Sequence, residues 1–170
     1  MLLGLVPSVT LPGVAAAETQ EFKLSNGLRL IVQEDHRSPV VVSQVWYRAG
    51  SIDEVNGKTG VAHLLEHMMF KGTKNVKPGQ FSRLVAAAGG FTSRDYTAYY
   101  QQLEKSKLPL SFKLESDRMA NLQLTKEEFS KEIKVVMEER RWRTEDKPQS
   151  TVAEQYQSVV FQAHPYARPV

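Results

Sequence analysis

Residues 60–73 read Gly-Val-Ala-His-Leu-Leu-Glu-His-Met-Met-Phe-Lys-Gly-Thr. At about 100° per helical residue, Val61, Leu64, Leu65, Met68 and Met69 form one apolar stripe, and His63, Glu66, His67 and Phe70 fall on the opposite face. A surface helix would fill that second face with Lys, Glu and Gln. Two histidines, a glutamate and a phenylalanine suit a helix covered on both sides. His63 and His67, at i and i+4, point the same way one turn apart. Two imidazole nitrogens so placed can bind one zinc ion, and Glu66, between them on the same side, can reach a water at the metal. The order His-x-x-Glu-His reverses the His-Glu-x-x-His zinc-peptidase signature. With 4 histidines and 14 glutamates in the chain, chance placement gives this pattern roughly 0.01 times. The competing reading is a pair of histidines that merely pack or bond to backbone.

Zinc needs a third ligand, and the chain has no cysteine. Thr125 and Glu128 match a capping box that opens a long helix, read to Arg143. On that helix Phe129, Val135, Val136 and Glu139 fall within about 60° of Glu132. Glu127, Lys131, Lys134 and Glu138 cluster on the far, solvated side. Burying Glu132 and Glu139 among valines is costly without a positive partner. A zinc ion on Glu139, with Glu132 behind the site orienting a histidine, is one answer. Salt bridges to Arg83, Arg94 or Arg118 are the other.

Outward from these helices the pattern is α+β. Residues 21–33 carry two short apolar runs around Asn26-Gly27, a hairpin signal. Residues 40–49 are β-branched and aromatic and read as a buried strand. Thr59 can cap the helix over Gly60–Lys71. Gln80–Ala88 reads as a helix with Phe81, Leu84, Val85 and Ala88 on one face, stopped by Gly89-Gly90. Phe91–Leu103 reads as one strand, Pro109–Asn121 as a helix. A last helix follows Pro148, with Val152, Tyr156, Val159 and Val160 at i, i+4, i+7 and i+8. Strands first, then helices and a further strand, argue for α+β.

The chain has 170 residues and 19.2 kDa, one domain's worth. Without cysteine, disulfide scaffolds, Cys-rich zinc modules and thiol catalysis are excluded. The net charge of +3 is spread over mixed signs, which gives no nucleic-acid footprint. Residues 1–17 carry no charge, and all 22 basic and 19 acidic residues follow them. Ala15-Ala16-Ala17 fits a signal-peptidase site. Pro7, Pro12 and Gly13 interrupt a run already too short to span a bilayer. The expectation is a leader over 1–17, although no Lys or Arg precedes it, and a periplasmic or secreted domain over 18–170.

The segment 60–73, the Asn26-Gly27-Leu28-Arg29 hairpin, Asp95-Tyr96-Thr97-Ala98-Tyr99-Tyr100, the Glu132–Glu139 helix and His164-Pro165-Tyr166 together resemble the N-terminal peptidase domain of the M16 family, the family of pitrilysin, insulin-degrading enzyme and mitochondrial processing peptidase. The smaller bacterial members are the nearest in character. The resemblance runs from about Phe22 to Val170. It implies an α+β fold with a mixed, largely antiparallel sheet and helices on one face. It implies one zinc per chain on His63, His67 and Glu139, Glu66 as general base and Glu132 as the acid behind the site. The implied substrate is a peptide or unfolded segment, and the implied partner a homologous second half or subunit, with no nucleic acid and no membrane span.

Two departures stand out. The family carries a few residues, including an Asn-Ala pair, between the Gly pair and the Phe-Thr-Ser segment, whereas here Gly89-Gly90 runs straight into Phe91. That shortening would fall on the edge strand, Phe91, Thr92 and Ser93, with which the family aligns substrate. The chain also stops inside the first of the family's two halves, so a truncated form, weakly active alone, is expected. One alternative remains, a non-catalytic M16-like subunit or inactive zinc-binding fragment assisting a partner peptidase. S-ribosylhomocysteinase, whose similar helix works with a cysteine, is rejected by the lack of cysteine and by the Glu132–Glu139 helix.

Overall fold

A computed structural model describes residues 18–85 and 87–170. The leader read over residues 1–17 lies outside them. The chain forms two compact units, one ending at Pro39 and one spanning Val40–Val170.

The first unit holds the expected hairpin. Strands β1 (Thr19–Lys23) and β2 (Arg29–Gln33) pair antiparallel, with Phe22 opposite Leu30. Gly27 takes φ +89° in the loop, and Asn26 Oδ1 accepts the Leu28 N–H at 3.1 Å. Those are the two services for which an Asn-Gly pair is suited.

In the second unit, β3 (Val40–Tyr47), β4 (Ala87–Thr92) and β5 (Thr97–Glu104) form an antiparallel sheet in the order β3-β5-β4. Thr97, Tyr99, Gln101 and Leu103 of the central strand are buried, whereas Tyr100, Gln102 and Glu104 are exposed. That is the period-2 signature of a sheet covered on one face. The helices are α1 (Val61–Met68), α2 (Gln80–Leu84), α3 (Leu108–Asn121), α4 (Lys126–Arg140) and α5 (Pro148–Val160); α1 packs against β4, α3 against β3 and β5, and α4 against α1. The core joins Phe81, Val85 and Leu114 with Phe70, Val76 and Leu110. The class is α+β as expected, and each strand pairing among the described residues is antiparallel.

Arg118, 1% exposed, grips both oxygens of Glu115 at 2.6 Å among the rings of Phe70, Phe81 and Tyr99. It is therefore spoken for and does not serve Glu132 or Glu139. A second polar node ties the exit of α1 to α3. Asp117 accepts from Thr73 Oγ1, from Asn75 Nδ2 and, at 2.8 Å, from Asn121 Nδ2. Thr73 also bridges to Leu122, and Gly72, at φ +117°, turns the chain just before it.

Several expectations are corrected. The helix from Gln80 ends at Leu84 rather than Ala88, since Val85 is extended (φ −118°, ψ 119°) and Ala87–Thr92 pairs with β5. Gly89-Gly90 is therefore strand, not helix stop. Phe91–Leu103 is two strands joined by a turn in which Ser93 N–H and Oγ–H both donate to the Tyr96 carbonyl. Thr59 does not cap α1. Val152, Tyr156, Val159 and Val160, which share a face as their spacing implies, are all exposed, and α5 turns Thr151, Glu154 and Gln157 inward. The long helix also ends earlier than Arg143, passing at Arg141–Glu145 into a wider π-type turn.

Candidate metal centre

The site is built on α1, which starts at Gly60 in a left-handed conformation (φ +86°). Its first amides are satisfied from outside the helix. Glu54 Oε2 accepts the Gly60 N–H at 2.9 Å and Oε1 the Ala62 N–H at 2.7 Å. A carboxylate there also complements the positive end of the helix dipole. Nothing in the local pattern pointed to Glu54, since it reaches the helix across a loop rather than from a cap position.

From this anchored helix His63 and His67 face α4. Their Nε2 atoms stand 3.2 Å apart. Glu139 Oε2 lies 3.5 Å from His63 Nε2 and 3.1 Å from His67 Nε2. His63, His67 and Glu139 form a group of potential ligands whose donor atoms all lie within 4.8 Å of one another. Ligand atoms on a tetrahedral ion with bonds of about 2.0–2.2 Å are about 3.3–3.6 Å apart. Two nitrogens and a carboxylate oxygen at 3.1–3.5 Å come close to that spacing, so a small outward shift would let them hold one zinc ion. Burial and the neighbouring His67 push the His63 imidazole below its ordinary pKa, which favours the neutral form that binds metal.

Behind the histidines, Glu132 is 5% exposed. Its Oε1 lies 2.9 Å from His67 Nδ1 and its Oε2 2.5 Å from Lys71 Nζ. Burial raises its pKa, but the hydrogen bonds from Lys71 and His67 outweigh that and hold the carboxyl below its usual range. An Nδ1–H donated to Glu132 leaves the His67 Nε2 lone pair turned toward Glu139. Arg143 Nη2 meets the other oxygen of Glu139 at 2.5 Å. Glu138 points away and pairs with Arg141 at 3.2 Å on the exposed side. The helical phase thus separated the two neighbours correctly. Lys71 and Arg143 were not foreseen, although Lys71 follows His67 by four residues.

Glu66, 8% exposed, faces the edge strand β4. Thr92 Oγ1 donates to Glu66 Oε2 at 2.7 Å. A Cβ on Gly90 would lie 3.0 Å from Glu66 Oε1 and 3.0 Å from Tyr99 Cδ1. The glycine thus lets the strand pass close over the carboxylate. Of the three expected edge-strand residues, Phe91 and Thr92 lie in β4, while Ser93 belongs to the turn beyond it. A cavity of about 250 Å³ opens between α1, β4 and α4, lined by His63, Glu66, His67, Thr92, Glu139 and Arg143 among others.

The family follows at this point. Residues 29–170 match the model described as Insulinase (Peptidase family M16), and the chain belongs to that family. It is 38% identical over 148 residues to the zinc protease PqqE of Helicobacter pylori, covering 84% of this chain and 33% of that protein. The crystal structure of a protease from Helicobacter pylori superposes with a TM-score of 0.84 at 35% identity, over 89% of this chain and 37% of that one. The periplasmic protease PqqL from Escherichia coli shares the fold, with a TM-score of 0.78 at 23% identity over 94% of this chain and 18% of that one. The chain spans about a third of the length of the curated relatives it matches. Among the described residues, no helix is long and apolar enough to cross a membrane.

Proposed function

We propose that the chain forms the metal-holding part of a zinc metalloendopeptidase that hydrolyses peptides or unfolded segments. The observation that carries the reading is the convergence of His63, His67 and Glu139 beside Glu66, under an edge strand. One zinc per chain would be held by His63, His67 and Glu139. Bound zinc supplies Lewis acidity, polarising a carbonyl and bringing water's ionisation toward neutral pH. Glu66 takes the proton from the attacking water and later gives it to the leaving amine. Thr92 holds Glu66 Oε2, so the carboxylate meets the water in one orientation. The exposed backbone of β4, through Phe91 and Thr92, is suited to align an extended peptide beside the base.

The substrate class, a homologous second half or subunit as partner, and a periplasmic or secreted location belong to this proposal. The leader-like composition of residues 1–17 supports the location. The relative length of the named zinc proteases supports the partner.

The test is a Glu66→Gln variant assayed with whatever partner completes the activity. It should keep its zinc and lose hydrolysis by a factor of about 10²–10⁴ or more. Near-normal, chelator-sensitive turnover by the metal-replete variant would reject Glu66 as the base. Absence of chelator-sensitive hydrolysis in every combination would leave the non-catalytic alternative.

A further inference from the structure

The two acids that α4 turns toward α1 are not equivalent, although both lie on one helix face two turns apart. Each has one oxygen facing a histidine and the other held by a cation. Glu139 meets Arg143, which is 60% exposed in its side chain, whereas Glu132 is 6% exposed and meets Lys71 at 29%. Lys71 reaches this position because the chain continues one tight turn past α1, with the Phe70 and Lys71 N–H groups donating to the His67 and Met68 carbonyls at 3.1 and 3.0 Å. Its ammonium thus sits on the same side as His67. The result is a relay of contacts, Lys71 Nζ to Glu132 at 2.5 Å and Glu132 to His67 Nδ1 at 2.9 Å.

We infer that Lys71 is a positioning residue for the metal centre. It occupies the second oxygen of Glu132, so this carboxylate serves as acceptor for His67 Nδ1–H and does not turn toward the metal in competition with Glu139. A buried carboxylate with a histidine alone as partner would lack that constraint and would carry an uncompensated charge. Lys71 therefore acts on the metal through Glu132 and His67, without touching it. This inference rests on the reading of His63, His67 and Glu139 as ligands.

The experiment is a double-mutant cycle on zinc affinity, measured by chelator competition, using Lys71→Met, Glu132→Gln and the pair, with Lys71→Arg as the conservative control. Lys71→Met keeps the aliphatic stem, and thermal melts of the metal-free proteins check that each variant folds. Outer partners of metal-ligating histidines are typically worth 10–100-fold in affinity, so Lys71→Met should weaken zinc binding on the order of tenfold, and Lys71→Arg should restore most of it. In the Glu132→Gln background Lys71→Met should add almost nothing, because its effect runs through that carboxylate. The nitrogen NMR shifts of His67 in the zinc-loaded protein should change in Lys71→Met and not in Lys71→Arg. Unchanged affinity, or an equal loss in both backgrounds, overturns the inference while leaving the ligand set standing. A wild-type chain that fails to bind one zinc overturns the ligand reading and this inference together.

Discussion

Glu138 and Glu139 are adjacent in sequence and opposite in circumstance. One pairs with Arg141 at the surface; the other puts an oxygen 3.1 Å from a histidine nitrogen. The Glu139→Gln variant should lose most of its zinc, and Glu138→Gln should retain one per chain. Metal analysis after dialysis separates them, and the reverse outcome would move the third ligand. At this scale much was legible, since the i, i+4 histidines and the phase of Glu132 and Glu139 follow from helical periodicity alone. The parts of Glu54 and Lys71, and the bond from Thr92 to Glu66, were not, because each meets its partner only after the chain has folded back. Gly90 shows the same limit. Its sequence neighbours suggest a helix stop, yet its role is to leave room for the Glu66 carboxylate.

Among the elements, α1 begins on a carboxylate that lies outside it, across a loop. Glu54 satisfies two of its first amides, and loss of a helix cap costs about 0.5–2 kcal/mol. Glu54→Ala should lower stability by about 1 kcal/mol in denaturant unfolding, with zinc affinity falling alongside as the first turn carrying His63 loosens. Unchanged unfolding would mean that solvent replaces the cap at no cost. The misread element was β4. Phe81, Leu84, Val85 and Ala88 do repeat with helical spacing, but pairing with β5 decided the conformation from Ala87 onward. Local pattern is a weak guide where a strand is specified by its neighbour.

For the whole molecule, α5 presents its apolar side outward. Val152, Tyr156, Val159 and Val160 are 51–68% exposed. A contiguous apolar surface of this kind favours association. The purified chain should scatter light as a species heavier than 19.2 kDa, and Val152→Gln with Val159→Gln should shift it toward the monomer. A monodisperse monomer at the same concentration would count against any sticky surface there. Periodicity identified the stripe but not its direction, because spacing reports that residues share a face but not what the face meets.

The Asp117 clasp carries a consequence for acid. The Thr73 hydroxyl above all, helped by the Asn75 and Asn121 amides, holds this carboxyl below its ordinary pKa, against an opposing effect of burial larger than that of either amide. A group lowered in the folded state contributes its stability in full above its unfolded value, about 3.9 for an aspartate, and loses it as pH falls through the lower folded value. Below about pH 4 the latch should therefore slip. Amide hydrogen exchange at Asn75 and Val76, whose N–H groups both donate to Thr73 Oγ1, should quicken there beyond the intrinsic trend, and in Asp117→Asn it should already be fast at neutral pH. Lys71 lies two residues from Thr73, so a proton arriving on Asp117 of α3 would slacken the tether of the ammonium that steadies Glu132.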